Sequence, residues 1–258
     1  MWTRALTRTK IRAALAHFSL SLLIFAPILF LVVRRWYPGP LFFTDGGWQG
    51  TRIMVLIDLV LGPFLTFTVF NPAKTRLALG VDFGFIGTVQ IAALVYGVMN
   101  ISSTAIEAVS WYEGAFVAVS ASDYRKQNIA PQDWAKFGDG PPYWVYARTP
   151  LPADLGEVMS RGLGQNIAPA AQFNLTSPLR EHLADLAAGE IRPQTVAGSD
   201  APLAQRLNDF AAGHGGADGV HFYAMNGFYR SVIVALDGQG RYLGFVFHEP
   251  PAPPPPKK

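Results

Sequence analysis

Three apolar runs constrain this chain more than anything else in it. Ala13–Val33, Ile53–Phe70 and Phe83–Ile101 are 21, 18 and 19 residues long, each near the ~20 residues a helix needs to cross a bilayer. Hydrocarbon offers backbone groups no water, so segments of this kind are expected as three transmembrane α-helices. The first run is too long for the apolar part of a signal peptide. Arg34-Arg35-Trp36-Tyr37 follows it, not a small-x-small cleavage pattern, so it is expected to stay in the chain. Trp36, Tyr37 and Trp48 suit the polar–apolar interface of a membrane.

Charge is distributed unevenly. Met1–Ile101 holds nine Lys/Arg against three Asp/Glu, whereas Ser102–Lys258 holds twelve against fifteen. The basic balance therefore flanks the spans and does not form a basic patch with interleaved aromatics, which argues against nucleic acid. Arg4, Arg8, Lys10 and Arg12 precede the first span, and Lys74 and Arg76 follow the second; the intervening segment carries only Arg34, Arg35 and Arg52. By the positive-inside rule the N-terminus is expected in the cytoplasm and everything after Ile101 outside, which in a bacterial inner membrane means the periplasm. The absence of cysteine removes disulfides, thiolate catalysis and cysteine-ligated metal sites.

The second run is not built only to dissolve in lipid. It contains Asp58, the pair Gly62-Pro63, Thr66 and Thr68, and ends in the turn Asn71-Pro72 ahead of Lys74 and Arg76. An Asp at a helix centre costs roughly 2.5–3.5 kcal/mol on the lenient insertion scale, so something within the membrane must offset it. Counting from the outer ends, Asp58 lies five residues from Ile53 and Tyr96 five from Ile101, which puts the two at similar depth and suggests a hydrogen bond. Gln90 falls beside Phe64, where it is placed to cover backbone groups freed by Pro63. Asp82 is expected near Lys74 and Arg76. Such residues can glue helices together, form an ion path, or recognise another transmembrane helix. A path needs more ionisable groups than one deep Asp.

Asp58-x3-Gly62-Pro63-x2-Thr66 followed by Phe70-Asn71-Pro72-x-Lys74 resembles the second span of the TfpX/TfpZ family of type IV pilin accessory proteins. Trp36-Tyr37-Pro38 after the first span agrees with it, as do Asp82, Gln90 and Ala93-Leu94-x-Tyr96-Gly97 in the third; the match covers about residues 1–125. The resemblance implies an inner-membrane protein that assists assembly of a type IV pilin, without catalytic residues. It also implies an edge-like hairpin directly after the third span.

After the membrane, Ala105–Tyr112 and Ala115–Ser120 alternate as strands joined by Glu113-Gly114, a hairpin turn. Pro131–Phe137 reads as a helical turn and Tyr143–Arg148 as a strand. Asp154–Arg161, Ser177–Ala188 and Asp200–Ala212 read as helices, with Ser177 and Asp200 as N-caps. Val220–Ala224, Phe228–Leu236 and Arg241–Phe247 read as strands, with Asp237-Gly238-Gln239-Gly240 as the last turn. The order predicts an α+β extracytoplasmic domain with an antiparallel sheet. The expected organisation is a membrane domain over 1–101 (spans about 13–33, 53–70 and 83–101), a periplasmic domain over 102–249, and a Pro-rich tail over 250–258.

Few residues invite chemistry. His214, Asp218 and His221 fall within eight residues but match no metal motif. Ser177 and Ser199 lack a nucleophile setting. Gly162–Gln165 does not follow a strand, so it is not a dinucleotide fingerprint. No catalytic, cofactor or metal residues are therefore assigned. The expected function is a non-catalytic accessory role in type IV pilus biogenesis: binding or chaperoning the major pilin in the membrane to modulate its stability and assembly, alongside other pilus components. The candidate seam is Asp58, Gly62, Pro63, Thr66, Asn71, Pro72, Lys74, Asp82, Gln90 and Tyr96. A partner helix is expected near the Gly62-Pro63 kink. Trp111, Tyr112 and Phe116, with the edge of their hairpin, are candidates for a periplasmic contact. The alternative is a membrane-anchored sensor of extracytoplasmic ligands, which lacks an evident output domain inside.

Overall fold

A computed structural model describes residues 4–248; the Pro-rich tail expected over 250–258 lies outside them. The chain divides into two compact units, Met1–Tyr37 with Gly46–Thr104, and Pro38–Asp45 with Ala105–Lys258.

The first unit contains three helices long and apolar enough to cross a membrane: Leu6–Trp36, Gly47–Val69 and Arg76–Ser103. Each is longer than the apolar stretch that marks it in the sequence. The first comprises α1 (Arg4–Leu31), with Pro27 inside it, and a wider π turn over Val32–Trp36, closed by Tyr37 N–H donating to the Val32 carbonyl at 2.8 Å. After the segment α2 (Leu41–Thr44), the second span is built from α3 (Gly47–Val55), a π turn over Leu56–Leu61 and α4 (Gly62–Val69). The third is α5 (Arg76–Ser103), capped by Thr75, whose hydroxyl accepts from Ala78 N–H at 3.2 Å.

The second span lies between the other two and packs on both. Against α5 it does so through small residues set opposite large ones. A Cβ on Gly50 would stand 2.8 Å from Ile101 Cδ1, one on Gly97 would stand 3.1 Å from Met54 Cγ, and one on Gly62 would overlap the Gln90 amide. Close backbone approach at three successive levels replaces the hydrophobic drive that lipid removes. Tyr37 Oη hydrogen-bonds Thr104 Oγ1 at 2.8 Å and donates to the Ile101 carbonyl at 3.3 Å, tying the end of the first helix to that of the third.

The second unit is α+β with a mixed, seven-stranded sheet. Its strands are β1 (Ile106–Tyr112), β2 (Ala115–Ser120), β3 (Tyr143–Ala147), β4 (Thr176–Pro178), β5 (His221–Asn226), β6 (Val232–Leu236) and β7 (Tyr242–Phe247), in spatial order β4-β3-β1-β2-β5-β6-β7. The sheet is not purely antiparallel as expected: β1–β3 and β2–β5 are parallel pairs. Long connections cause this. The chain between β1–β2 and β3, and the passage from β4 to β5 carrying α8 (Pro193–Val196) and α9 (Ala201–Ala212), each return the strand in the same direction. The hairpin turn forms as expected, with Glu113 (φ 48°) and Gly114 (φ 89°) both left-handed. Asp200 caps α9 through Leu203 N–H at 2.8 Å, and α7 (Leu155–Gln165) matches the expected first helix.

Ser177–Ala188 is not a helix. Ser177 and Pro178 form the edge strand β4 against β3, and tight 3-10 turns follow over Leu179–Glu181 and Leu183–Gly189. Two apolar clusters form the core: Val119, Tyr124, Trp134 and Val145 around β1–β3, and Leu207, Phe222, Ile233 and Ala235 beneath α9. The sheet curls enough that Trp144 of β3 stacks on Tyr242 of β7 at 5.2 Å. Pro38–Asp45 joins this unit: Leu41 and Phe42 are buried, Tyr229 N–H donates to the Thr44 carbonyl at 2.8 Å, and Phe228 N–H to Asp45 Oδ1 at 3.2 Å.

Candidate intramembrane site

The polar residues of the second span gather on its buried side. Asp58, Gly62 and Thr66 are spaced by four, one above another on a helix, and all three are buried. The π turn decides which backbone group Pro63 leaves bare. Gly62 N–H reaches five residues back to the Ile57 carbonyl. In that register the missing Pro63 N–H would have served Asp58 rather than Leu59. Gln90 Nε2 donates to the Asp58 carbonyl at 3.4 Å. Gln90 thus covers the kink as expected, one residue earlier than simple α-helical counting gives.

The first helix contributes two partners that the sequence reading did not single out. His17 Nδ1 and Thr66 Oγ1 are hydrogen-bonded at 2.6 Å, and Lys10 Nζ, itself buried, donates to the Thr68 carbonyl at 3.1 Å. His17 interrupts an otherwise apolar run, and that was the available signal. Just beyond Thr68, at the same end of the bundle, Asn71 Oδ1 accepts from Ala73 N–H at 3.0 Å, shaping the turn at Pro72. Lys74 pairs with Asp82 at 2.6 Å, the juxtaposition expected from the sequence.

Tyr96 does not join the seam. It is 72% exposed, while Ile86, Gln90 and Ile101 form the buried stripe of α5. Depth counting sets the rise along a helix; each residue also turns 100°, and that rotation takes Tyr96 off the inner face. Asp58 is 5% exposed, and its Oδ2 has no hydrogen-bond partner among the described residues.

Asp58 is one of the residues that line a cavity of about 410 Å³. Ala13, Ala16 and Ser21 of α1 line one wall, Gly87 and Leu94 of α5 the other, and Asp58 and Thr66 lie at its base. The Gly62-Pro63 kink is not an open docking point, because Gly62 is sealed against Gln90; the open face lies between α1 and α5.

The candidates in the globular unit separate differently. Trp111 and Phe116 are core residues, their rings 5.0 Å apart and each packed on Tyr223, and neither offers a contact surface; Tyr112 is half-buried. Nor is their hairpin an edge: β3 covers β1 and β5 covers β2. Exposed aromatics occur instead at the β5–β6 turn, where Phe228 and Tyr229 project.

His214 donates from Nδ1 to the Phe210 carbonyl at 2.8 Å, whereas His221 pairs with Glu190 at 2.6 Å. Burial alone would raise the Glu190 carboxyl. Hydrogen bonds from His221 and Arg192 outweigh that and hold it below its usual value. Among the described residues no three His, Cys, Asp or Glu converge as a metal set.

With this geometry in hand, comparison with known proteins points one way. Over a third of its length the chain is similar to fimbrial assembly proteins. It is 36% identical over 85 residues to the fimbrial assembly protein of serogroup I from Dichelobacter nodosus, a stretch that is 33% of each chain. It is 36% identical over 85 residues to the protein of serogroups C1 and C2, 65% of that relative, and 34% identical over 85 residues to that of serogroup E1, 33% of that relative. The match therefore spans a third of the length of two relatives and less than two thirds of the other. No family model and no solved structure matches.

Proposed function

We propose that this chain is a non-catalytic accessory protein of type IV pilus biogenesis. It resides in the bacterial inner membrane with its N-terminus in the cytoplasm and its globular unit in the periplasm, and it binds the major pilin before assembly. The carrying observation is the similarity to fimbrial assembly proteins in a chain whose deep polar groups, the Asp58 carboxyl apart, are spent on helix–helix contacts. His17, Thr66, Gln90 and the Asp58 carbonyl hydrogen-bond one another in pairs across helices, an arrangement suited to holding and positioning. A pilin awaiting assembly presents one apolar helix and one globular head. A partner with both a helical bundle and a periplasmic domain can engage both, and two weak contacts then act jointly through effective concentration.

The test is removal of the chain from a piliated cell, with surface pili and total pilin measured. Reduced surface piliation, restored by the wild-type chain, is expected; unchanged pili and pilin would refute the reading. An extracytoplasmic ligand sensor is a second reading, favoured by clefts of about 570 and 290 Å³ that both border the Glu190–His221 pair. A small molecule that co-purifies with the full chain and is lost in His221→Ala would move the assignment there.

A further inference from the structure

We infer that the cavity between the first and third spans is the seat of one transmembrane helix of a partner protein, and that this helix brings a hydrogen-bond donor to Asp58. The inference rests on the proposed function only for naming the partner as a pilin.

The carboxyl is the first argument. Asp58 is buried and lines the cavity, and its Oδ2 has no hydrogen-bond partner among the described residues. A carboxyl in hydrocarbon without a donor is costly, and intramembrane carboxyls pair with protein groups or water. An acyl chain seated here would add no donor. A hydroxyl, amide or ammonium on a neighbouring helix would.

The walls are the second argument. Ala13, Ala16 and Ser21 on α1 and Gly87 on α5 are small, and a Cβ added at Gly87 would meet nothing within 4 Å. Three glycines of this bundle are filled by a partner side chain: Gly50 by Ile101, Gly62 by Gln90, Gly97 by Met54. Gly80, Gly84 and Gly87 of α5 meet nothing, and of these Gly87 lines the cavity. Small residues facing an unfilled space are what membrane helices use to bring backbones together.

Size is the third argument. A helix about 10 Å across with a pitch of 5.4 Å occupies roughly 420 Å³ per turn. The cavity, about 410 Å³, is lined from Ala13 to Phe25 of α1, about three turns, so it takes the side chains along one face of a helix and not a whole helix. The second span blocks its base, so a partner enters from the lipid side between α1 and α5 and meets Asp58 from there.

The experiment uses the full-length chain in its native membrane. A photoreactive residue replaces Leu20 or Ile91, exposed positions on the two rims, and in a control replaces Tyr96, which points elsewhere. Expected is an adduct from the rims, and not from Tyr96, to a single transmembrane segment of another protein that carries a donor side chain. Asp58→Ala should reduce that adduct about 3- to 20-fold, the range set by measured intramembrane hydrogen bonds. Asp58→Asn, which still accepts, should retain most of it. Gly87→Leu has room to fold and should abolish the adduct by filling the seat with Asp58 intact. Adducts only to lipid, adducts to a second copy of this chain, or adducts indifferent to both Asp58→Ala and Gly87→Leu would overturn the inference. Capture of a helix other than a pilin's would uphold the seat and overturn the pilin assignment. Lost piliation on removing the chain, with no helix captured at the rims, would do the reverse.

Discussion

Replacing Gly62 by Ala probes the join between the second and third spans. An added Cβ would overlap Gln90 Nε2 and lie 2.7 Å from its Cδ and 2.9 Å from its Oε1. Gln90 cannot swing aside freely, because its amide covers the Asp58 carbonyl that Pro63 leaves without a donor. The added carbon must therefore push the helices apart or break that hydrogen bond, and overpacking of this kind costs about 1–3 kcal/mol. Two backbone effects accompany the change: Ala favours helix over Gly, and a residue before Pro disfavours the α region. Both are the same whether or not Gln90 is present. The informative quantity is thus the coupling in a cycle of wild type, Gly62→Ala, Gln90→Ala and the double variant, each unfolded reversibly in the same bicelles. Removing Gln90 first should cancel the steric term, so Gly62→Ala should be milder in the Gln90→Ala background by about 1–3 kcal/mol. Equal effects in both backgrounds, within about 0.5 kcal/mol, would refute the claim that Gln90 is what Gly62 makes room for.

The globular unit offers three more tests. Glu113 holds a left-handed conformation beside Gly114, so Glu113→Asn should stabilise the hairpin by about 0.5–1 kcal/mol, read as a raised unfolding midpoint of the full chain. Burial raises the Asp45 carboxyl above its usual 3.8, against the lowering effect of hydrogen bonds from Thr44 and Phe228 N–H. Its contribution to stability is therefore complete below 3.8 and lost as pH rises through the raised folded value; Asp45→Asn should flatten the fall of the unfolding midpoint over that window. Asp154 behaves oppositely. The Arg148 guanidinium and Leu151 N–H pull its carboxyl down to about 2, so its contribution is present above 3.8 and lost as pH falls through about 2. Arg148→Ala should raise the Asp154 titration midpoint followed by carboxyl NMR.

The spans, the first hairpin and the capped helix α9 were legible because each is announced locally, by apolar length, by a two-residue turn and by an Asp before a Pro. What failed was non-local. Leu179, Leu183 and Leu186 recur at spacings that suit a helix, yet His182 N–H bonds the Leu179 carbonyl and Asp185 N–H the His182 carbonyl, each at 3.0 Å, giving 3-10 turns instead. At 3.6 residues per turn the three leucines fall within about 60° of one another, whereas at 3.0 only Leu183 and Leu186 align and Leu179 stands about 120° away; the helical spacing was real, but the backbone took the other period. The hairpin resembled an edge because nothing inside β1 or β2 encodes that β3 and β5 will flank them. In the membrane, Gln90 was found by depth, since it also faces inward, and Tyr96 was misplaced by depth because it does not. His17 escaped because its partner, Thr66, is 49 residues away in the chain.

The short segment Pro38–Asp45 leaves the ribosome early yet completes its fold late. Phe228, whose amide Asp45 receives, follows it by 183 residues. At about 5–20 residues per second that interval is roughly 10–40 s of synthesis. Throughout it Phe43 and Thr44 have yet to meet Phe247 and Tyr229, their partners in the finished unit. A chain that stops anywhere ahead of β5 therefore leaves Pro38–Asp45 without the Phe228 and Tyr229 amides that tie it into the second unit.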